Sequence, residues 1–285
     1  MANAKNALAG ELSLCWGSME GVDLQQLVSA AASSGFRAIT VNPPLYFDAV
    51  SAGLSDTDIG RLIADHGLGV SGIDPLFNWL PNSMRLDGDD VMSRCTQASV
   101  EETFHIAHVT GTDLVNAPLG LVSPDSEQHI VDCFGRLCEQ AAAEQLRISL
   151  EFMPFTEVSN LAIAARIVAQ ANCANGGIMF DCWHHHRSGG KPSDVLAVPG
   201  DKFFALQLDD AMADPMEDIL EETLNHRLLP GEGCIDLLQI LRNLKSIGAE
   251  LVYDVEVFKA PLRSKTPAQR ARLLFESSNT VIQQT

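Results

Sequence analysis

The sequence predicts an α/β chain closed into a barrel of eight parallel strands, each strand followed by a helix, as a single domain over residues 1–285. Three observations lead there. Eight short apolar runs alternate with stretches of helical periodicity, and strands separated by helices pair in parallel. A length of 285 residues matches eight such units, which typically take ~250 residues. The competitor is an open doubly wound sheet. A glycine-rich phosphate loop would support it, but neither GxGxxG nor a GxxxxGKS/T run occurs.

The elements follow in order. Strand one is the run Glu11–Trp16. A helix begins near Asp23, where Leu24, Leu27, Val28 and Ala31 share one face, and Gly35 stops it. Strand two is Arg37–Val41. Ser55 or Asp56 caps a helix bearing Ile59, Leu62 and Ile63, which Gly67 ends. Strand three, Gly69–Ile73, leads into a long connection from Asp74 to Met92. A helix through Val100, Phe104 and Ala107 runs to Gly111. Strand four is Asp113–Asn116, followed by a helix over Ser126–Gln145. Strand five is Arg147–Glu151, with a helix over Asn160–Ala171. Strand six is Gly177–Asp181 and strand seven Phe203–Gln207. A helix from Ile235 to Gly248, strand eight at Leu251–Glu256 and a helix over Pro267–Ile282 complete the chain.

Composition narrows the function. Asp and Glu total 37 against 19 Lys and Arg, a net charge of −18 that repels nucleic acid and anionic membrane. No run approaches the ~18 apolar residues of a membrane span. Residues 1–14 carry one Lys and no sustained apolar stretch, so no signal peptide is expected. Seven scattered cysteines without a CxxC fit reduced thiols in the cytoplasm and exclude zinc-ribbon chemistry.

Barrels of this kind carry their active sites at the C-terminal ends of the strands. Strand five ends in Glu151, strand six in Asp181, strand seven in Gln207 (with Asp209 and Asp210 beyond) and strand eight in Glu256. Neighbouring strands lie ~4.8 Å apart, so four such side chains can surround one point. Three carboxylates and an amide oxygen are hard ligands that suit Mg²⁺, Mn²⁺ or Co²⁺. The alternative is four ordinary polar strand ends.

Asp181 opens the run Asp181-Cys-Trp-His-His-His-Arg187. His184 is placed to face substrate or to act as acid or base, whereas His185 and His186 suit packing or solvation. Arg187 is a candidate substrate-binding cation, with a surface salt bridge as the alternative. Arg227 has the same role in view, in a Pro-Gly-Glu-Gly turn that lets backbone approach a ligand, or else belongs to a structural loop. Glu157 reaches the mouth or begins a helix. Trp16, Phe77, Trp79 and Trp183 form aromatic walls or pack in the core.

At Leu150-Glu-Phe-Met-Pro154, Asp181-Cys-Trp-His184, Gln207-Leu-Asp-Asp210, Arg227-Leu-Leu-Pro-Gly-Glu-Gly233 and Val255-Glu-Val-Phe258, the chain resembles the xylose isomerase-like TIM-barrel family of sugar phosphate isomerases and epimerases. The resemblance begins at the opening strand and includes Gly35-Phe-Arg-Ala-Ile39. It implies one divalent cation (Mn²⁺, Mg²⁺ or Co²⁺) on Glu151, Asp181, Gln207 and Glu256. It also implies that Glu151 and Glu256 act as the acid/base pair of a ketose 3-epimerase, with His184 on a substrate oxygen and Glu157 as a further site acid. From the residues themselves, Trp16, Trp183, Arg187 and Arg227 are the further candidates to line the substrate.

The implied activity is isomerisation or epimerisation of a keto-sugar, sugar phosphate or cyclitol through an enediolate. Its partner is a small polyhydroxylated carbonyl compound, and a homo-oligomer would be in keeping with the family. Gln207 stands where the epimerases usually carry His. That feature is similar to bacterial 3-dehydroshikimate dehydratases, although their loop usually reads Gly-Gln-Gly rather than Gly231-Glu-Gly233. Dehydration is therefore the alternative activity, and a non-catalytic barrel the alternative class. The family's DNA-repair endonucleases need more metal-ligating His and a cationic groove, which a −18 chain does not offer.

Overall fold

A computed structural model describes residues 8–81, 83, 85–120 and 126–285. The sequence readings of residues 1–7, and of 82 and 84 in the long connection, lie outside them. Eight parallel strands close into one barrel in chain order: β1 Leu12–Leu14, β2 Ala38–Val41, β3 Gly69–Ile73, β4 Leu114–Pro118, β5 Arg147–Glu151, β6 Gly176–Asp181, β7 Phe203–Leu208 and β8 Tyr253–Val255. Closure is made by β1 on β8, with Ser13 opposite Asp254. Among the described residues, no helix is long and apolar enough to cross a membrane.

The helices start and stop where local chemistry demands. Asp23 caps Leu24–Ser34 in a reciprocal box with Gln26, and Gly35 ends it at φ +104°, a conformation that costs a glycine little. Ser55 with Asp58, and Ser99 with Glu102, repeat the device at Asp56–Asp65 and Val100–Thr110. Thr266 with Gln269 starts Pro267–Ile282. Four short helices escaped the sequence reading: Pro43–Ser51, Val91–Cys95, Cys182–Arg187 and Ile219–Asn225. Pro43 and Pro44 look like breakers, but proline is favoured in a first turn, and Asn42 caps it. The other three span two turns or fewer, too few for periodicity to show.

Strand stagger places the site. Glu151 pairs with Met179, two residues before Asp181. Asp181 pairs with Gln207, and Gln207 with Asp254, two residues before Glu256. Side chains alternate with period two, so all four point into the barrel. The interior divides into layers. A small apolar plug of Leu114, Met179, Phe204 and Ala205 stands apart from the main core between sheet and helices. Above it sit Ser13, Thr40, Asn116, Ser149 and Asp254, all buried. The acidic layer lies on top.

Gly200, just before β7, guards this stagger. A Cβ there would lie 2.1 Å from the Ile247 carbonyl oxygen and 2.9 Å from the Ala249 nitrogen, both backbone atoms. Gly200→Ala is expected to destabilise the fold by about 2–3 kcal/mol, read as a lower urea midpoint. An unchanged midpoint would show that this contact yields.

Candidate functional site

Five carboxylates meet at the C-terminal mouth: Asp74 after β3, Glu151 ending β5, Asp181 ending β6, Asp209 after β7 and Glu256 after β8. None is more than 5% exposed. Such burial is costly unless the charges are answered. Arg227 answers three of them with one atom: Nη1 lies 2.7 Å from Asp181, 2.6 Å from Asp209 and 3.0 Å from Glu256. Its Nη2 and Nε donate to the Thr223 hydroxyl and carbonyl at 2.9 and 3.1 Å, and Trp183 and Phe258 lie 5.2 and 5.4 Å from the guanidinium. Nη1 carries only two hydrogens, so the three carboxylates must share them.

On the other side, Asn116 Nδ2 bridges Asp74 and Glu151, at 2.7 Å to each. Gln207 Nε2 donates to Glu256 at 2.9 Å and to Asp74 at 3.4 Å. The Cys15 thiol donates to Glu256 at 3.3 Å, and Trp16 Nε1 to Asp74 at 3.4 Å. His184 Nε2 lies 3.4 Å from Glu151 and 3.9 Å from Asp181. Asp181 also caps its own short helix, accepting the His184 amide at 2.6 Å.

The residues fit a hard divalent cation. Glu151, Asp181 and His184 each offer a ligand atom within 4.8 Å of the others, and Glu256 joins Asp181 at the same Arg227 nitrogen. Gln207 Oε1 is buried without a hydrogen-bond partner among the described residues, because its amide nitrogen faces the two carboxylates. An amide oxygen left over among carboxylates matches an oxygen-ligated cation.

The expected residues divide into two groups. Glu151, His184, Arg227, Glu256 and Trp16 line a cavity of about 240 Å³ with Asp74, while Asp181 and Gln207 bond to two of its lining residues, Arg227 and Glu256. Three expectations need correction. Arg187 does not line the mouth; its Nε and Nη2 hold Glu222 at 2.7 and 2.5 Å, because a buried guanidinium needs a buried counter-charge. Trp183 is fully buried against Arg227 and forms no wall. Glu157 is exposed on the loop after β5, where water solvates it better than the mouth would. The Pro-Gly-Glu-Gly turn also spends its amides internally, since Gly231 and Gly233 donate to Asp210 at 3.0 and 2.9 Å. Asp74, Asn116 and Asp209 were missed as site residues. Asp74 and Asn116 end or follow apolar strands, the same signal that singled out Glu151.

Burial raises most of these acids. Asp74 is pushed up to about 7 by burial and then by Glu151. Burial also lifts Asp209, Glu256 and Asp254 above the usual carboxylate range. Asp181 runs the other way. Burial alone would raise it, but Arg227 and His184 hold it low. The folded chain without metal thus binds more protons than the unfolded chain between pH ~4 and ~7, and stability falls as pH rises through that window. In chelator, the urea midpoint is expected to drop from pH 5 to pH 8, and Asp74→Asn to flatten the drop. A midpoint rising over this range would contradict the charge balance. Gln207→Leu is expected to weaken Mn²⁺ binding by about tenfold or more, measured by electron paramagnetic resonance. Unaltered affinity would remove Gln207 from the ligand set.

With this geometry in hand, comparison places the chain among known proteins. Residues 28–277 match the family described as Xylose isomerase-like TIM barrel. The 3-dehydroshikimate dehydratase of Pseudomonas aeruginosa is 27% identical over 267 residues, covering 90% of this chain and 40% of the relative. The inosose isomerase of Bacillus subtilis is 30% identical over 172 residues, covering 60% of each. The chain thus spans about two-fifths of the length of the curated dehydratases it matches. Among solved structures, a xylose isomerase-like TIM barrel/4-hydroxyphenylpyruvate dioxygenase fusion protein superposes with a TM-score of 0.80 at 25% identity, over 94% of this chain and 42% of that one. The IOLI protein with a binding zinc atom superposes at 0.82 and 21% identity, over 95% and 98%, which speaks to fold alone. Barrel, acidic mouth and family match agree: the chain belongs to the xylose isomerase-like TIM barrel family.

Proposed function

We propose that this chain is a divalent-cation-assisted lyase that removes water from a cyclic, non-phosphorylated polyhydroxy ketone, as a dehydratase acting on 3-dehydroshikimate would. The observation that carries this is the unequal state of the two glutamates. Epimerisation at one carbon needs a free acid/base group on each face. Glu256 is engaged on both oxygens, by Cys15 and Gln207 on Oε1 and by Arg227 on Oε2. Among the described residues Glu151 accepts only from Asn116, and its other oxygen lies 3.4 Å from His184.

One carboxylate–imidazole pair suits elimination. Glu151 takes the proton from the carbon next to the carbonyl, and the electron pair left there forms the new double bond. The carbon–oxygen bond breaks at the neighbouring carbon, and the leaving hydroxide takes a proton from His184. The proton on Glu151 then restores His184, so the sum is one water lost. A cation held by Glu151, Asp181, Gln207 and Glu256 would polarise the substrate carbonyl.

The walls support the substrate class. Among the described residues Arg227 is the sole Lys or Arg lining the mouth, and its Nη1 is committed to three carboxylates. Among the described residues a phosphate dianion meets no uncommitted Lys or Arg there, which favours a substrate without phosphate. Trp16, Phe77, Phe155 and Phe258 instead offer faces for a ring to lie against. The dehydratase relatives, 27% and 28% identical over nine-tenths of the chain, support the same reading. A second reading is isomerisation of inosose, which shares the first proton transfer and is favoured by relatives 29–30% identical over part of the chain. Seven free thiols suit a reducing compartment such as the cytoplasm.

With Mn²⁺, 3-dehydroshikimate is expected to lose the mass of one water. His184→Asn is expected to lower kcat by about 10² or more while Mn²⁺ binding persists. If 3-dehydroshikimate comes back intact while inosose is isomerised, the elimination reading gives way to the second.

A further inference from the structure

The segment between β7 and Arg227 arches over the mouth, and almost none of it is buried. From Met212 to His226 only Glu222 and Thr223 are inside. Ile219 packs partly on the core, while Leu220 and Leu224 face the mouth at 41% and 37% exposure. Apolar burial therefore does little to fix the arch. Polar bonds do the rest. Glu222 accepts from Arg187 through Oε1 and from the Met216 amide through Oε2, at 2.8 Å. Arg187 Nη2 also donates to the Met212 carbonyl at 2.8 Å. Arg263 meets the far end at the Leu224 carbonyl.

The pair is 5% and 0% exposed. Pairs this deep add little net stability over apolar residues of like volume, so what they supply is geometry. The geometry leads straight to the site. Arg187 ends the same short helix that Asp181 caps and that carries His184. Its guanidinium lies 5.9 Å from the Trp183 ring, which Arg227 approaches at 5.2 Å. Thr223, next to Glu222, holds Arg227.

We propose that Arg187 and Glu222 are positioning residues: they clasp the 212–226 arch to the helix after β6, so that Thr223 orients Arg227 and Leu220 and Leu224 meet the substrate. The clasp acts on substrate recognition, and neither member bonds to a proposed metal ligand; Arg187 and Glu222 bond to each other and to the Met212 and Met216 backbone. This rests on the mouth being an active site, as proposed above.

Arg187→Met leaves Glu222 buried without its partner. Amide exchange is expected to rise about tenfold or more within 212–226 and to stay unchanged in the strands. KM for 3-dehydroshikimate should rise about tenfold with a smaller fall in kcat, and Mn²⁺ affinity should change less than KM does. Arg187→Lys should recover part of the KM. The double change Arg187→Met with Glu222→Leu should restore stability while KM stays high, because the arch is packed but no longer placed. Unchanged exchange in Arg187→Met, or a wild-type KM in the double variant, would overturn the clasp. If the wild-type protein does not turn over 3-dehydroshikimate, the catalytic reading falls and the exchange measurement alone decides the clasp.

Discussion

The mouth of this barrel is organised by one atom. Arg227 Nη1 stands between Asp181, Asp209 and Glu256, and it has fewer hydrogens than the carboxylates around it. That shortfall explains why the acids differ. Asp181 keeps its charge, while Asp209 and Glu256 are driven toward their neutral forms by burial. It also explains why the ring stacking and the Thr223 bonds matter. A guanidinium 5.2 and 5.4 Å from two aromatic rings and bonded to Thr223 is held against drift toward any one carboxylate.

The barrel makes this crowding possible through stagger. Each advance of two residues between neighbouring strands keeps the pleat in phase, so a residue chosen at the end of β5 selects its partners on β6, β7 and β8. The layer beneath is polar too, with Ser13, Asn116, Ser149 and Asp254 where barrels commonly pack branched aliphatics. The acidic layer rests on a hydrophilic one and only then on the apolar plug.

Much of this was legible beforehand. Eight strands, their order and most helix ends follow from periodicity and caps, and Glu151, Asp181, Gln207 and Glu256 follow from their places at strand ends. What was not legible is side-chain commitment. Arg187 and Arg227 look alike in sequence, each an arginine in a loop after a strand. The three-dimensional difference is that Glu222, thirty-five residues away from Arg187, comes back to claim one of them. Trp183 differs from the expectation for a related reason: beside His184 on a short helix, its ring is fully buried. Asp74 heads a long connection, and only the fold brings it beside Glu151, where Asn116 bridges the two.

The tryptophans carry a practical consequence. The chain has three. Trp16 donates its indole N–H to Asp74 at the mouth, and Trp183 lies against the guanidinium of Arg227. Trp79 is bonded to the Pro118 carbonyl and packs on Phe134, outside the acidic layer. Two of the three indoles thus sit in the electric field of the charges that a cation or substrate would rearrange. Their emission is a built-in optical gauge of occupancy, with Trp79 as the steady background against which it is read.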